Sequence, residues 1–387
     1  MGLLKSQLTT LSGGSTNSPV DPNLTLDLEF SSMTALPASV TFARASIGTY
    51  FDSNGVLQTA LAGAARFDHD PVTLEPLGLL IEQARTNALP YSLDCFTGWT
   101  GSLVPTINST VSPDGTASAT LFTATGANQN WFRAASIAAD ATYTFSAFVK
   151  RKTGVGVVQM QCAGAGYTAV PVTDIWTRVS VTAAVTAGSK NSVFQINTAG
   201  DEVWIWGAQL EVGAFPTSYI PTTSAAVPRA FDSAFMTGAN LTSWYTENVG
   251  TFAARIRVTP PPTSSFPGVV GKSSNSRWLY FNFTPGAGAA VYDAGTALTQ
   301  TPVPVGNTTY NIASACDPAT SLKRIANNGV VKEGVYNNTM DPVATAMNIG
   351  SYGAVANALN GTIAFLKYWN VAKTDAELQE ITNPVRY

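Results

Sequence analysis

The sequence predicts an all-β fold: two tandem antiparallel β-sandwiches of the jelly-roll type, preceded by a small β-rich N-terminal module and an extended arm, with one short helix near the C-terminus. Apolar and polar residues alternate with a period of two in many short stretches, which is the pattern of half-buried strands. Gly, Pro and Asn turns separate these stretches at short spacing, without long helical repeats between them. Charged residues make up only 12% of the chain, which is typical of an all-β protein or of an assembly component.

The composition limits the number of domains and the class of partner. A chain of 387 residues is too long for one typical core, so we expect two or three domains. The net charge is −3 and no basic run occurs, so nucleic-acid binding is not expected. No apolar run approaches the ~20 residues that span a bilayer, so we expect no membrane insertion. The N-terminus also lacks the charged start and apolar core of a secretory signal. The three Cys residues lie far apart, which favours buried free thiols over a zinc site or disulfides.

Residues 1–30 are predicted to form the extended arm. Ser12 to Asn23 consists mainly of Ser, Gly, Asn and Pro, a composition that is disordered on its own. Such a segment becomes ordered only when something holds it. We expect a partner subunit to hold the arm; the alternative is that the arm packs on its own domain. The end of the arm, from Leu24 to Phe30, already alternates as a strand does.

Residues 31–87 are predicted to form the small β module. Asn54-Gly55 lies between two short apolar stretches and predicts a β-hairpin. An apolar run from Leu77 to Ile81 follows, and Glu82, Arg85 and Asn87 end the module.

Residues 88–222 are predicted to form the first sandwich. The stretch from Val203 to Leu210 carries apolar residues on both faces, so we expect a strand that is covered on both sides. Pro216, Pro221 and Pro228 cannot continue a ladder of hydrogen bonds. They therefore mark the linker between the two sandwiches.

Residues 223–387 are predicted to form the second sandwich. Alternating strands are expected from Phe252 to Val258 and from Ile363 to Trp369. Thr374 and Glu377 have the spacing of a capping box, which predicts a helix from Asp375 to about Ile381.

Several segments resemble recurring modules of bacteriophage virion proteins. RAS-x-x-T-Y-x-D-x-x-G, RFDHDP and GLLIE-x-x-RTN, between Arg44 and Asn87, are similar to their N-terminal module. WGAQLE-x-G-x-FPTSYIPT, from Trp206 to Thr222 and followed by Arg229 and Asp232, is similar to the segment that closes their middle, carbohydrate-binding-like sandwich. The ending FLKYWNVAKTDAELQEIT, from Phe365 to Thr382, is similar to the end of a concanavalin-like or laminin-G-like sandwich.

The resemblance implies a virion appendage or surface protein, such as a tail fibre, head fibre or capsid decoration protein. It implies attachment to other virion proteins through residues 1–30, a homo-oligomer such as a trimer, and contact with host surface polysaccharide. One alternative is a purely structural decoration or spacer protein, because lectin-like folds often serve only as spacers. A second alternative is a glycan-cleaving tailspike.

No catalytic, cofactor or metal site is predicted, and we expect no enzymatic activity. His69 is the only histidine, so a Ser-His-Asp triad could be built only around it. Asp68 and Asp70 flank it, but adjacent residues of an extended chain point to opposite faces, which disfavours a joint metal site. Calcium binding by Asp68, Asp70 and Glu75 would need a loop of alternating ligands, which is absent. We therefore expect a polar turn in which the two aspartates accept backbone N–H groups or pair with Arg66 or Arg85.

Sugar binding is the more natural hypothesis, because aromatic rings stack on sugar rings while amides bind their hydroxyl groups. Two groups of residues carry it, and the alternative is that their rings fill the cores. The main candidates are Trp131, Phe132 and Asn130 in the first sandwich, and Trp278, Tyr280 and Asn282 in the second. Trp99, Asn128 and Asn275 lie beside them. Trp204, Trp206 and Trp369 are expected to be core residues.

Overall fold

The computed structural model describes residues 21–258, 267–272, 277–281, 288–293, 296–302, 305–336, 344–351 and 357–384. Within these ranges the chain forms antiparallel β-sheets, with short helical segments at three places. This confirms the all-β prediction. None of the helices in the described ranges is long and apolar enough to cross a membrane.

The first section of the chain contributes seven strands and a short 3-10 helix at Phe30–Ser32. The strands are β1 (Leu24–Leu28), β2 (Thr41–Ala43), β3 (Gly48–Phe51), β4 (Leu57–Ala60), β5 (Phe67–His69), β6 (Pro76–Ile81) and β7 (Arg85–Asn87). Strands β3 and β4 form the predicted hairpin, and Gly55 in its turn has a φ of 71°, which glycine adopts without strain.

The middle section forms the first sandwich. Its strands are β8 (Thr100–Gly101), β9 (Val104–Thr110), β10 (Ala119–Thr123), β11 (Gln129–Ile137), β12 (Ala141–Thr153), β13 (Val158–Gln161), β14 (Tyr167–Val170), β15 (Thr177–Val185), β16 (Gly188–Ile196) and β17 (Glu202–Val212). One five-stranded sheet has the order β15-β12-β17-β10-β9, and the other has the order β14-β13-β16-β11-β8. Phe122, Phe145 and Phe194 lie in the core between them and are fully buried.

The last section supplies most of the second sandwich. Its strands are β18 (Val227–Arg229), β19 (Ser233–Thr237), β20 (Gly250–Val258), β21 (Gly268–Lys272), β22 (Arg277–Phe281), β23 (Ala289–Asp293), β24 (Thr296–Gln300), β25 (Thr308–Asp317), β26 (Leu322–Asn327), β27 (Val330–Val335), β28 (Ala346–Ile349) and β29 (Gly361–Trp369). Its helices are α1 (Ala239–Thr242) and α2 (Asp375–Ile381). The predicted capping box of α2 is confirmed, since Thr374 and Glu377 make both of its hydrogen bonds.

Strand β1 of the predicted arm and strands β2, β5 and β6 of the predicted N-terminal module are shared with the second sandwich. Strands β1 and β6 both pair with β29, and β5 extends the same eight-stranded sheet beyond β6. Strand β2 pairs with β19 in the opposite seven-stranded sheet. Gly78 lets β6 approach β29, because a Cβ there would collide with the Ile363 carbonyl oxygen. The domain boundaries at residues 30, 87 and 222 stay predictions, but the module differs from a self-contained unit because the edges of the second sandwich take up its strands.

The described part of the predicted arm lies against its own chain. The Nζ of Lys373 is 2.7 Å from Oδ2 of Asp21, and the backbone N–H of Asn370 donates to the Asn23 carbonyl at 3.0 Å. Residues 1–20, to which the partner-subunit prediction mainly refers, lie outside the described residues. That prediction therefore stays open.

Candidate functional site

Five charged residues of the segments that resemble virion proteins come together in a buried cluster. We call this cluster the ionic junction and define it as Arg44, Arg66, Glu82, Arg229 and Asp232. All five residues are at most 5% exposed. The Asp232 carboxylate accepts from Arg44 at 3.1 Å and from Arg66 at 2.5 Å. Glu82 lies 2.9 Å from Arg66 and 3.4 Å from Arg229. The ionic junction thus joins the first section of the chain to the start of the last section.

The segment that closes the first sandwich is tied to the same ionic junction. The backbone N–H of Ser218 donates to Glu82 at 2.7 Å, and its hydroxyl donates to the other carboxylate oxygen at 2.6 Å. One step away, the Thr217 hydroxyl and backbone N–H both donate to Glu211, at 2.7 and 2.8 Å. Side chains of all three sections therefore meet at one place.

Electrostatics hold Glu82 of the ionic junction in its charged form. Burial alone would raise the pKa of Glu82, but Arg229, Arg66 and the hydrogen bonds from Ser218 lower it to about 2. Because the folded pKa lies below the ordinary 4.5, Glu82 contributes stability above about pH 4.5. That contribution is lost as the pH falls toward 2.

Sequence reasoning missed this role of the motif residues. The signal was present, because charged residues are scarce in this chain and yet several of them sit beside apolar runs. Arg, Asp and Glu are almost never fully buried unless they are paired. Such charges therefore predict a buried ion network, although not which charge pairs with which.

Strand β11 separates the first group of sugar-binding candidates into two faces. Trp131 points into the core, is 7% exposed, and contacts Phe96 and Phe122 at ring-centroid distances of 6.3 and 5.5 Å. Its Nε1–H donates to the Cys95 carbonyl at 2.9 Å. The core alternative therefore holds for Trp131. It holds equally for Trp99, which is 5% exposed.

Asn130 and Phe132 lie on the outer face of the same sheet, where they join side chains from three further strands. In one row, Asn130 is opposite Gln195, which is opposite Gln159. In the next row, Phe132 is opposite Val193, Val193 opposite Gln161, and Gln161 opposite Tyr167. We call this surface the amide face and define it as Asn130, Phe132, Gln159, Gln161, Tyr167 and Gln195.

The amide face is polar but carries no formal charge. Tyr167 is 40% exposed, and the other five side chains are half-buried. Local hydrogen bonds orient the amides: Gln161 Nε2 donates to the Ala165 carbonyl at 2.6 Å, and Gln159 Oε1 accepts from Asn197 at 3.3 Å. An amide side chain offers more hydrogen-bonding positions than these bonds use. The surface can therefore bind a hydroxylated ligand without breaking its own structure.

The second group of sugar-binding candidates cannot be placed to the same extent. Trp278 and Tyr280 belong to strand β22, but their side chains lie outside the described part of the structure. Asn282 and Asn275 lie outside the described residues altogether. Their role in sugar binding stays a prediction.

Two of the three tryptophans expected in cores are buried. Trp206 is 1% exposed and Trp369 is 7% exposed. Trp204 is only half-buried, and the Nζ of Lys150 lies 5.6 Å from the centroid of its ring. The expectation was wrong for Trp204 because its neighbours Val203 and Ile205 face the sandwich core, which leaves Trp204 on the outer face of the sheet.

Asp68 and His69 end strand β5 and Asp70 leads into a turn, and the arginine that pairs with Asp70 differs from the expected ones. The Asp68 carboxylate accepts from the backbone N–H of Phe51 at 2.7 Å, and Asp70 accepts from two backbone N–H groups at 3.0 and 3.1 Å. Asp70 pairs with Arg257 at 3.2 Å, whereas Arg66 or Arg85 was expected. Burial raises the pKa of Asp68 to about 6. Among the described residues, no group of three or more His, Cys, Asp or Glu side chains is placed to hold a metal ion.

Comparisons with known proteins show structural similarity over part of the chain. No protein-family model matches the chain, and no curated protein matches it. The solved structures to which it is similar include the CBM40 of a Ruminococcus gnavus IT-sialidase, at 17% identity over 35% of this chain and 83% of that one, with a TM-score of 0.29. Domain 4 of AbnA, a GH43 extracellular arabinanase from Geobacillus stearothermophilus, is 14% identical over 44% of this chain and 82% of that one, with a TM-score of 0.31. The enzymatically active domain of Bacteriophage CBA120 tailspike protein 4 is 12% identical over 32% and 21%, with a TM-score of 0.27. At these scores, the function has to be argued from the geometry of the chain itself.

Proposed function

We propose that this protein is a non-enzymatic component of a bacteriophage particle that contacts host surface glycan through the amide face. The observation that carries the glycan part is the composition of this surface, with four amides and two aromatic rings and no charged side chain. The resemblance of the sequence segments to virion proteins supports the particle part.

The arrangement of the amide face suits a neutral sugar chain. Adjacent strands lie about 4.8 Å apart, so a row across four strands spans roughly 14 Å. Phe132 and Tyr167 stand at opposite ends of one such row, with Val193 and Gln161 between them. Aromatic rings can cover the apolar faces of sugar rings while the amides exchange hydrogen bonds with hydroxyl groups. The row thus offers an aromatic ring at each end and an amide beside one of them.

Replacing Phe132 with alanine is expected to weaken glycan binding about ten-fold, which corresponds to about 1.4 kcal/mol. Binding is measured by titration with purified host surface polysaccharide, with circular dichroism as a check of folding. Ile107→Ala is the matched control, because Ile107 is an apolar residue, 50% exposed, on a strand of the other five-stranded sheet. Equal binding by the two variants would remove the amide face from the proposal.

A structural spacer is the second candidate function, and the ionic junction favours it. A buried network that joins all three sections of the chain would hold the two sandwiches in a fixed relation. A folded wild-type protein that binds no host polysaccharide would support this candidate. Glycan cleavage has no comparable support on the amide face, whose six side chains include no carboxylate.

The attachment part of the proposal concerns residues 1–20. A chain that lacks these residues but keeps Asp21 and its ion pair with Lys373 is expected to fold and yet to be absent from assembled particles. Particle composition after infection or assembly in the presence of the truncated chain measures this. Wild-type levels of the truncated chain in particles would show that the arm is not the anchor.

A further inference from the structure

A cleft lies on the outer face of the eight-stranded sheet, away from the amide face. Arg257, Thr362 and Leu80 form a cross-strand row on its floor, on β20, β29 and β6. Phe51 of the hairpin and Asn307 also line the cleft, and the Asn307 turn is held by a 2.7 Å hydrogen bond from its backbone N–H to the Val258 carbonyl. The cavity has a volume of about 200 Å³.

The cleft continues toward the first sandwich. A second cavity of about 200 Å³ shares Phe51, Asp68, Leu80 and Asn307 with the first. Phe148 of the first sandwich lines it on the other side. The second cavity thus adjoins the cleft on the side of the first sandwich.

A buried hydroxyl on the cleft floor has no hydrogen-bond partner within the described structure. Thr362 is only 4% exposed, it lines the cleft, and its Oγ1 makes no hydrogen bond there. Leaving such a group unsatisfied costs about 1–3 kcal/mol. A ligand hydroxyl in the cleft would satisfy it.

The other polar groups of the cleft determine whether a charged or a neutral ligand is favoured. Asp70 and Arg257 already neutralise each other at 3.2 Å, so neither offers an unbalanced charge. Burial raises the pKa of Asp68 to about 6, so below about pH 6 its carboxyl is mostly uncharged and still accepts hydrogen bonds. Asn307 can donate and accept, while Leu77, Leu80 and Phe51 provide apolar surface. A small cavity lined in this way favours a compact ligand that is neutral and rich in hydroxyl groups.

We propose that this cleft is a second ligand site, which binds one neutral hydroxylated ring such as a single sugar residue. Its volume is below the roughly 300–1,000 Å³ of pockets for drug-sized molecules, so it fits a single ring rather than a chain. The site is independent of the amide face. The result of the cleft experiment therefore does not decide the proposed function, which is tested separately by Phe132→Ala.

The only histidine of the chain makes the test specific. His69 lines the cleft, and its Nδ1 lies 3.1 Å from the Phe51 carbonyl oxygen. Its imidazole signal in an NMR spectrum therefore reports on the cleft without further assignment. The probes are glucose, galactose, mannose and N-acetylglucosamine, with glucuronate and glucosamine as charged counterparts. We expect at least one neutral sugar to shift the signal in a saturable way.

Two variants locate the binding. Thr362→Val removes the hydroxyl and keeps the shape of the side chain, and it is expected to weaken the response about five-fold. Asn307→Ala, at an exposed turn, serves the same purpose if the first variant does not fold. Ile107→Ala is the unaffected control. The absence of a saturable shift, a response to charged sugars alone, or full responses in both cleft variants would each overturn the proposal.

Discussion

Replacing Asp232 with alanine is expected to destabilise the protein by about 3–5 kcal/mol, the range found when one partner of a buried ion pair is removed. The variant would leave Arg44 without its carboxylate partner, and Arg66 and Arg229 would share Glu82 alone. Asp232 also accepts a hydrogen bond from the backbone N–H of Glu82 at 2.8 Å, which the same change removes, while the bond from the backbone N–H of residue 232 to the Glu82 carbonyl at 2.9 Å is retained. Chemical denaturation followed by circular dichroism measures the loss, which is a large part of the 5–15 kcal/mol that stabilises a typical domain.

The control for this prediction is an aspartate in an exposed ion pair. Asp27 lies 3.3 Å from Lys367 and its side chain is 45% exposed, so Asp27→Ala should cost at most about 1 kcal/mol. A second variant tests the cause, because Arg44→Met combined with Asp232→Ala removes one of the unpaired charges. The double variant is expected to be more stable than the sum of the two single changes implies. Equal costs for Asp232→Ala and Asp27→Ala would show that the ionic junction does not hold the sections together.

Local patterns were sufficient for the elements that depend on neighbouring residues. The helix Asp375–Ile381 follows from hydrogen bonds between Thr374 and Glu377, and the hairpin follows from Asn54-Gly55. In both cases the residues that specify the structure lie within a few positions of each other. A strand's partner, by contrast, can lie anywhere along the chain. The pairing of Leu24–Leu28 with Gly361–Trp369 joins residues more than 330 positions apart, and alternation alone does not show which edge a strand joins.

The amide face could be predicted only in part, because alternation is a local pattern and strand pairing is not. Period-two alternation already implied that Asn130 and Phe132 face one side of a strand and that Trp131 faces the other. Applying this rule would have excluded Trp131 as a partner of the other two. Two further members of the amide face, Gln159 and Gln195, come from strands that are distant in the sequence. Only the sheet register brings them beside Asn130.

Replacing Trp206 with alanine is expected to lower the free energy of unfolding by about 3–5 kcal/mol, because the change removes a large ring from a packed aromatic cluster. Trp206 is 1% exposed, its ring centroid lies 4.9 Å from that of Tyr219 and 5.7 Å from that of Phe148, and its Nε1–H donates to the Ser118 hydroxyl at 3.0 Å. Leu57 of the hairpin belongs to the same cluster, so the loss should also loosen the hairpin from the first sandwich.

Trp204→Ala is the matched control for Trp206→Ala, since it changes the same residue type on the same strand. Trp204 is half-buried, with Lys150 over its ring and a hydrogen bond from its Nε1–H to the Ser109 hydroxyl. Its replacement should therefore cost about 1 kcal/mol of stability. The difference in unfolding free energy between the two variants, measured by chemical denaturation, separates the contribution of the aromatic cluster around Trp206 from the general effect of losing a tryptophan. If both variants lost the same stability, the hairpin would not be anchored by Trp206.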